Sequence, residues 1–234
     1  MNISKQTFDT YRRALQAIEA QAADAHAQVA YVLEAQLGLD EAAYKEALKN
    51  VTINITESYA RASARVAARF SSAIYEADTG TATAFDIAPI DVREAVTHGI
   101  NWDADPDKVL AKTEIFLRSL VRRGARNTII RSTHATGGRW ARIPQGMRTC
   151  AFCMILASHG FYYRSKETAG GGMFSDRFHN DCDCLVVPSW SNKCTIEGYD
   201  PGVFKKMYKE AKKKAGTTDL NKVAAVMRGM YGVK

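Results

Sequence analysis

Two short clusters of metal-ligand residues lie close together in the second half of the chain. The first is Cys150-Ala-Phe-Cys153 and the second is His179-Asn-Asp-Cys182-Asp-Cys184, so four of the five cysteines fall between residues 150 and 184. A structural zinc ion takes four thiolate or imidazole ligands in tetrahedral geometry. The spacing therefore predicts that two turns of the chain meet around one ion, whatever fold surrounds them.

The two clusters offer five candidate ligands for four positions. In an extended segment Cys182 and Cys184 would point to the same face, so either could bind the ion. We favour Cys150, Cys153, His179 and Cys182 as the zinc ligands, with Cys184 as the alternate ligand.

The cysteines could instead form disulfides in an oxidising compartment, or be plain buried thiols. The first residues do not resemble a signal peptide, so we expect synthesis in a cytoplasm. Thiols stay reduced there, which favours a metal over a disulfide.

The N-terminal half has the apolar periodicity of long helices. Spacings of three and four predict one helix over 5–37 and a second that ends near residue 77, joined by a short turn. Such a hairpin over 5–77 would be roughly 50 Å long, a length typical of an assembly element present in several copies. Residues 52–55 are poor helix formers, which predicts a local irregularity there. With further helices over 85–132, these segments predict a helical domain over 1–136.

The sequence pattern changes at Gly137-Gly138, from alanine-rich helical periodicity to a pattern typical of short strands and turns. We predict strands at 139–143, 161–164 and 185–187, and a short helix at 154–158. The predicted fold class is mainly α, with a small α+β metal-stapled module over 137–190. Such a module buries little apolar area by itself, so we expect the ion to stabilise it in place of a large core.

A basic helical tail is predicted over 191–234. Helices are expected to begin at Asp200-Pro201 and at Thr218. The net charge of +7 resides in residues 201–234 of this tail, because the other 200 residues carry equal numbers of basic and acidic side chains. One helix face carries six lysines, which indicate either contact with nucleic acid or another anionic partner, or a solvated face: Lys205, Lys206, Lys209, Lys212, Lys213 and Lys214.

The sequence contains none of the common hydrolase or nucleotide-binding motifs, and five ligand candidates favour a closed structural site. We therefore expect no enzymatic activity. A metal-dependent hydrolase or toxin-like effector that uses Asp176, Asp181 or Asp183 is a minor alternative. The arginines at 118, 122, 123 and 126 are expected to form a solvated helix face, and no apolar run is long enough to span a membrane.

The module resembles a known family. Its elements are Trp140-x-Arg-Ile-Pro144, then Cys150-x2-Cys153, then Tyr163-Arg-Ser165, and finally His179-x2-Cys182-x-Cys184. This order is similar to that of the minor head proteins of tailed bacteriophages, the group related to the head-morphogenesis protein F of phage Mu. The likeness is greatest to the version found in phages of Gram-positive hosts.

The resemblance implies a structural protein of the virion, inside the capsid near the portal, with portal and capsid proteins as partners and packaged DNA as a further contact. The second cluster of this chain departs from the family's usual H-P-x-C-R-C pattern at two positions. Asn180 stands in place of the proline and Asp183 in place of the arginine. A zinc-containing nucleic-acid-binding protein is the main alternative function.

Overall fold

The structure is a computed structural model that describes residues 2–35, 40–145, 149–164, 182–191 and 193–234. Within these residues the chain is mostly helical, with a few short strands near a cysteine cluster. The predicted fold class, mainly α with a small α+β module, is confirmed. None of the helices described is both long enough and apolar enough to cross a membrane.

The two longest N-terminal helices are α1, Lys5–Ala35, and α2, Glu41–Thr79. They run antiparallel, since a residue near the start of α1 contacts one near the end of α2: the rings of Tyr11 and Phe70 stack with their centroids 4.1 Å apart. Asp40 begins α2 by accepting a hydrogen bond from Ala43, and Gly80 ends it in the left-handed conformation at φ 73°. The predicted hairpin is therefore present, while the predicted turn lies outside the described residues.

The irregularity expected at residues 52–55 is absent, since α2 continues through this segment. Thr52, Ile53 and Thr56 are buried there, and the Thr52 hydroxyl donates to the carbonyl of Leu48 at 2.7 Å. Tertiary packing thus outweighs the weak helix propensity of β-branched residues.

Two further helices follow, α3 over Val92–Gly99 and α4 over Pro106–Ala135. Helix α4 packs against both α1 and α2, and Gly124 allows a close approach to α2 because a side chain there would overlap the carbonyl oxygen of Ala60. At that point the hydroxyl of Ser63 donates to the carbonyl of Val121 at 2.5 Å. Helices α1, α2 and α4 therefore form one layered frame.

Two antiparallel strands support the cysteine region. Strand β2, Arg139–Ile143, pairs with the strand Leu185–Ser189, here β3, in a register that places Ala141 opposite Val187. Helix α5, Ala151–Ala157, begins directly after Cys150, three residues earlier than predicted. The strand predicted at 161–164 is wrong, because only Tyr163 makes a single bridge, to Trp140, while a turn occupies 161–162.

The C-terminal part consists of α6, Pro201–Ala215, and α7, Leu220–Tyr231, which pack on α5. Asp219 caps α7 through hydrogen bonds from Asn221 and Lys222, so the cap predicted at Thr218 is one residue off. A short parallel pair, which the sequence did not indicate, joins the chain's beginning to this part through Asn2–Ile3, here β1, and Thr195–Ile196, here β4.

The cysteine region does not depend on an ion alone for its core. Trp140, Val186 and Val187 belong to the same buried cluster as Tyr11 and Phe70 of the helical hairpin. The expectation of a module with little apolar burial is therefore wrong, because the helices cover it. The predicted division at residues 136 and 190 stays a prediction, and packing crosses both points.

Candidate metal centre

Three cysteine thiols meet in the interior. The sulfur atoms of Cys153, Cys182 and Cys184 lie within 4.8 Å of one another, and those of Cys153 and Cys182 are 3.4 Å apart. All three residues are at most 1% exposed. Sulfur atoms bound tetrahedrally to one zinc ion lie roughly 3.8 Å apart. This donor set could hold a metal ion with little movement.

Local structure brings these thiols together. Cys153 lies in the first turn of α5, whereas Cys182 and Cys184 lie in the segment that leads into β3. The two side chains of the C-x-C segment share one face, as expected of extended backbone. Cys184, predicted as the alternate ligand, thus lies in the same cluster as Cys153 and Cys182.

Cys150 lies at the edge of this cluster. It is the N-cap of α5, its sulfur accepts a hydrogen bond from the backbone N–H of Cys153 at 3.3 Å, and it packs against the three buried cysteines. His179, the predicted histidine ligand in the second cluster, lies outside the described residues. The full set of zinc ligands therefore stays a prediction.

Two arginines of α4 fix the C-x-C segment. The guanidinium of Arg126 donates to the carbonyl of Cys182 at 2.7 Å and to that of Cys184 at 2.8 Å. Arg122 donates to the carbonyl of Cys182 at 2.8 Å and pairs with Glu19 of α1. Groups that hydrogen-bond around ligands in this way orient them for a metal.

A third guanidinium contacts sulfur itself. Arg142 of β2 is 1% exposed, and its Nη2 lies 3.5 Å from the sulfur of Cys182. The pKa of Cys182 lies well below its usual range, because its sulfur accepts hydrogen bonds from Cys153 and Cys184 and because Arg126 and Arg142 favour the thiolate. The thiolate is the form that binds metals.

The solvated face expected for the α4 arginines is wrong for two of them. Arg126 is 3% exposed and Arg122 is half-buried, because both turn toward the cysteine segment. Their spacing of one helical turn is a local signal, yet it cannot reveal a partner about 60 residues away in sequence. Arg142 gave a clearer hint, since its neighbours in β2 are the apolar residues Ala141 and Ile143.

A cavity of about 150 Å³ adjoins the centre, with Tyr11, Glu19, Arg122 and Asp183 among its lining residues. Asp183 is thus placed beside the arginines. The other two acidic candidates, Asp176 and Asp181, lie outside the described residues.

The fold and the site define a mostly helical protein with a buried cysteine cluster that could hold a metal ion. The chain belongs to the VG15 protein family, whose model matches residues 2–211. It is similar to the Gene 15 protein of Mycobacterium phage D29, with 31% identity over an alignment that covers 25% of this chain.

The aligned part is 32% of that relative's length, so the chain spans about a third of the relative it matches. No solved structure matches the chain. These comparisons support a phage protein family, as the resemblance implied, while the specific likeness to the Mu F group stays a prediction.

Proposed function

We propose that this protein is a minor capsid protein of a tailed bacteriophage, with a structural role in head assembly. The observation that carries the proposal is the family match over 2–211, which includes both the helical frame and the cysteine cluster. The mycobacteriophage relative and the resemblance of residues 140–184 to head-morphogenesis proteins support it.

A structural role suits the geometry of the cysteine centre. Its three thiols are buried, and Arg126 and Arg142 hold the segment and its charge in place. A catalytic zinc keeps an open ligand position for water or substrate, whereas the three cysteines of this centre are at most 1% exposed. We infer a non-enzymatic zinc site that ties α5 to the start of β3, with Cys153, Cys182 and Cys184 as ligands and Cys150 or His179 as the fourth.

Contacts with portal and capsid proteins belong to the same proposal. The apolar seam of α1 does not serve them, because Phe8, Tyr11 and Leu15 are buried against the chain's own elements. Multi-copy assembly would therefore use the outer faces of the helices. We propose the capsid interior near the portal as the location of the assembled protein.

The proposal is tested in purified phage particles. Quantitative mass spectrometry should find this chain at a few copies per particle, and cryo-electron microscopy should locate it at the inner face of the portal vertex. Deletion of its gene should reduce the yield of filled heads. Absence from purified particles, together with normal head yield after deletion, would contradict the assignment.

A further inference from the structure

The lysine face of α6 is a continuous basic surface. Lys205, Lys206, Lys209, Lys212 and Lys213 lie on a common arc of the helix, all five are exposed, and about 12 Å separates its ends. The opposite arc holds Phe204, Met207, Tyr208 and Ala211, which pack with α5 and α7. The helix therefore presents its charge outward by construction.

The acidic side chains that the structure describes do not form ion pairs with this surface. Among the residues that the structure describes, no carboxylate lies within ion-pair distance of the six α6 lysines, although Lys45 and Lys49 of α2 have such partners. Glu210 is the acidic residue of α6, and its carboxylate accepts a hydrogen bond from the hydroxyl of Tyr231 at 2.8 Å. The charge is left available to an external anion.

An exposed aromatic ring lies beside the start of this surface. Tyr162 is 62% exposed, and its ring centroid is 5.8 Å from that of His159. The imidazole of His159 is close enough to Lys205 for the ammonium to lower its pKa, after the larger effect of burial. Gly160 also approaches Pro201 at the beginning of α6. The ring thus lies near the N-terminal end of the lysine surface.

We propose that the α6 lysines and Tyr162 form a binding surface for single-stranded nucleic acid, with phosphates on the lysines and an unpaired base stacked on the tyrosine. A row of cations beside an exposed aromatic ring is the usual arrangement for binding of single strands without sequence preference. The inference goes beyond the proposed function, because it concerns nucleic-acid binding by the purified chain and does not require the capsid.

Binding is measured with the full-length protein and a fluorescent single-stranded 20-mer, by anisotropy over a range of salt concentrations. The variant K205Q/K209Q/K212Q should weaken binding by about 10- to 100-fold and reduce the salt slope by about 2, since each phosphate contact contributes about 0.7. The matched control K5Q/K108Q/K112Q removes the same formal charge from exposed positions elsewhere and should change the affinity less than about threefold.

Stacking is tested separately with Y162S. This variant should weaken binding of the single strand about tenfold and leave binding of a duplex of equal length nearly unchanged, because paired bases cannot stack on the ring. The control Y31S removes another exposed tyrosine, 65% accessible on α1, and should have no effect.

Three results would overturn the inference. Equal losses from the two lysine triples would show that net charge alone drives binding, and equal losses of single strand and duplex in Y162S would remove the stacking role. Preference for polyglutamate over the single strand would identify an acidic protein surface as the partner. Each of these leaves the particle measurements unchanged, so failure here is separable from failure of the capsid assignment.

Discussion

The carboxylate of Asp78, in the last turn of α2, accepts a hydrogen bond from the backbone N–H of Trp190 at 2.7 Å. The same oxygen also accepts from Ser189 Oγ and from the N–H of Ser191, each at 3.1 Å. One side chain therefore joins the end of the helical hairpin to the end of β3. This contact connects the frame to the strands that carry the cysteines.

We predict that Asp78→Ala lowers the free energy of unfolding by about 2–4 kcal/mol, because several donors lose one charged acceptor. Asp78→Asn should cost less, since an amide oxygen still accepts. Urea unfolding monitored by circular dichroism measures both changes. The exposed Asp86→Ala serves as control, and an Asp78→Ala variant as stable as this control would contradict the prediction.

The close approach of α2 and α4 predicts opposite effects for two glycine substitutions. A Cβ at Gly124 would overlap the carbonyl oxygen of Ala60 and lie 2.8 Å from Ser63 Oγ, whereas one at Gly229 in α7 meets nothing within 4 Å. Gly124→Ala should destabilise by about 1–3 kcal/mol, and Gly229→Ala should stabilise by about 0.5–1 kcal/mol. Thermal unfolding of the two variants should show shifts of opposite sign, and a tolerated Gly124→Ala would contradict the packing.

The buried His26 makes stability depend on pH. Its Nε2 lies 3.0 Å from Thr52 Oγ1, and the Thr52 hydroxyl already donates to Leu48, so the imidazole must be the donor in its neutral form. Burial lowers the pKa of His26 below its usual 6.5. The unfolded chain then binds the proton more readily than the folded chain does. The contribution of neutral His26 to the free energy of unfolding is therefore complete above about pH 6.5 and is lost as the pH falls below it.

We therefore expect unfolding by urea to need less denaturant at pH 5 than at pH 7.5. His26→Gln keeps an N–H donor for Thr52 but cannot titrate, so it should reduce this difference. His134→Gln changes an exposed histidine and should preserve the dependence of the parent protein. Identical pH profiles for the parent and His26→Gln would contradict the assignment.

The cysteine cluster predicts metal-dependent stability. Purified protein should contain about one zinc ion per chain, and a chelator should lower the melting temperature. Cys153→Ser should remove the metal, lower the melting temperature by about 10 °C through the loss of several kcal/mol, and abolish the chelator effect. Cys194→Ser, outside the cluster, should keep the metal.

The same measurement separates the two candidates for the fourth ligand. Cys150→Ser and His179→Ala should differ in the chelator concentration that removes the ion. The variant that lacks a true ligand should lose the ion at a much lower concentration. Metal-free protein whose cysteines are joined as disulfides would instead contradict the zinc proposal.

We predict that Arg126 affects zinc affinity although it is not a ligand. Arg126→Gln removes the donors to the carbonyls of Cys182 and Cys184, so zinc affinity should fall by about 10- to 100-fold. Arg131→Gln is the matched control, because this exposed arginine of the same helix donates to the carbonyl of Ile87 at 3.4 Å, away from the cysteine segment, and should contribute less than about 1 kcal/mol. Competition with a coloured chelator measures both affinities, and equal values would contradict the role of Arg126.

Much of the fold follows from local pattern. The periodic apolar positions indicated the hairpin, and Asp200-Pro201 marked a helix start that the structure shows at Pro201. Such signals lie within one turn of the chain, where capping and periodicity act directly. The prediction of a strand at 161–164 was wrong because a short apolar run carries no information about whether a partner strand is available over its whole length.

The sequence by itself determined the helices and strand β2, because spacing and periodicity are properties of neighbouring residues. It also indicated one shared site for Cys150, Cys153, His179 and Cys182, with Cys184 as the alternate ligand. Only the tertiary structure decided that Arg122 and Arg126 turn inward, that Arg142 contacts a thiol, and that the cysteine region shares its core with the hairpin. These contacts join residues 40 or more positions apart, and burial against distant elements, which no local pattern encodes, selects them.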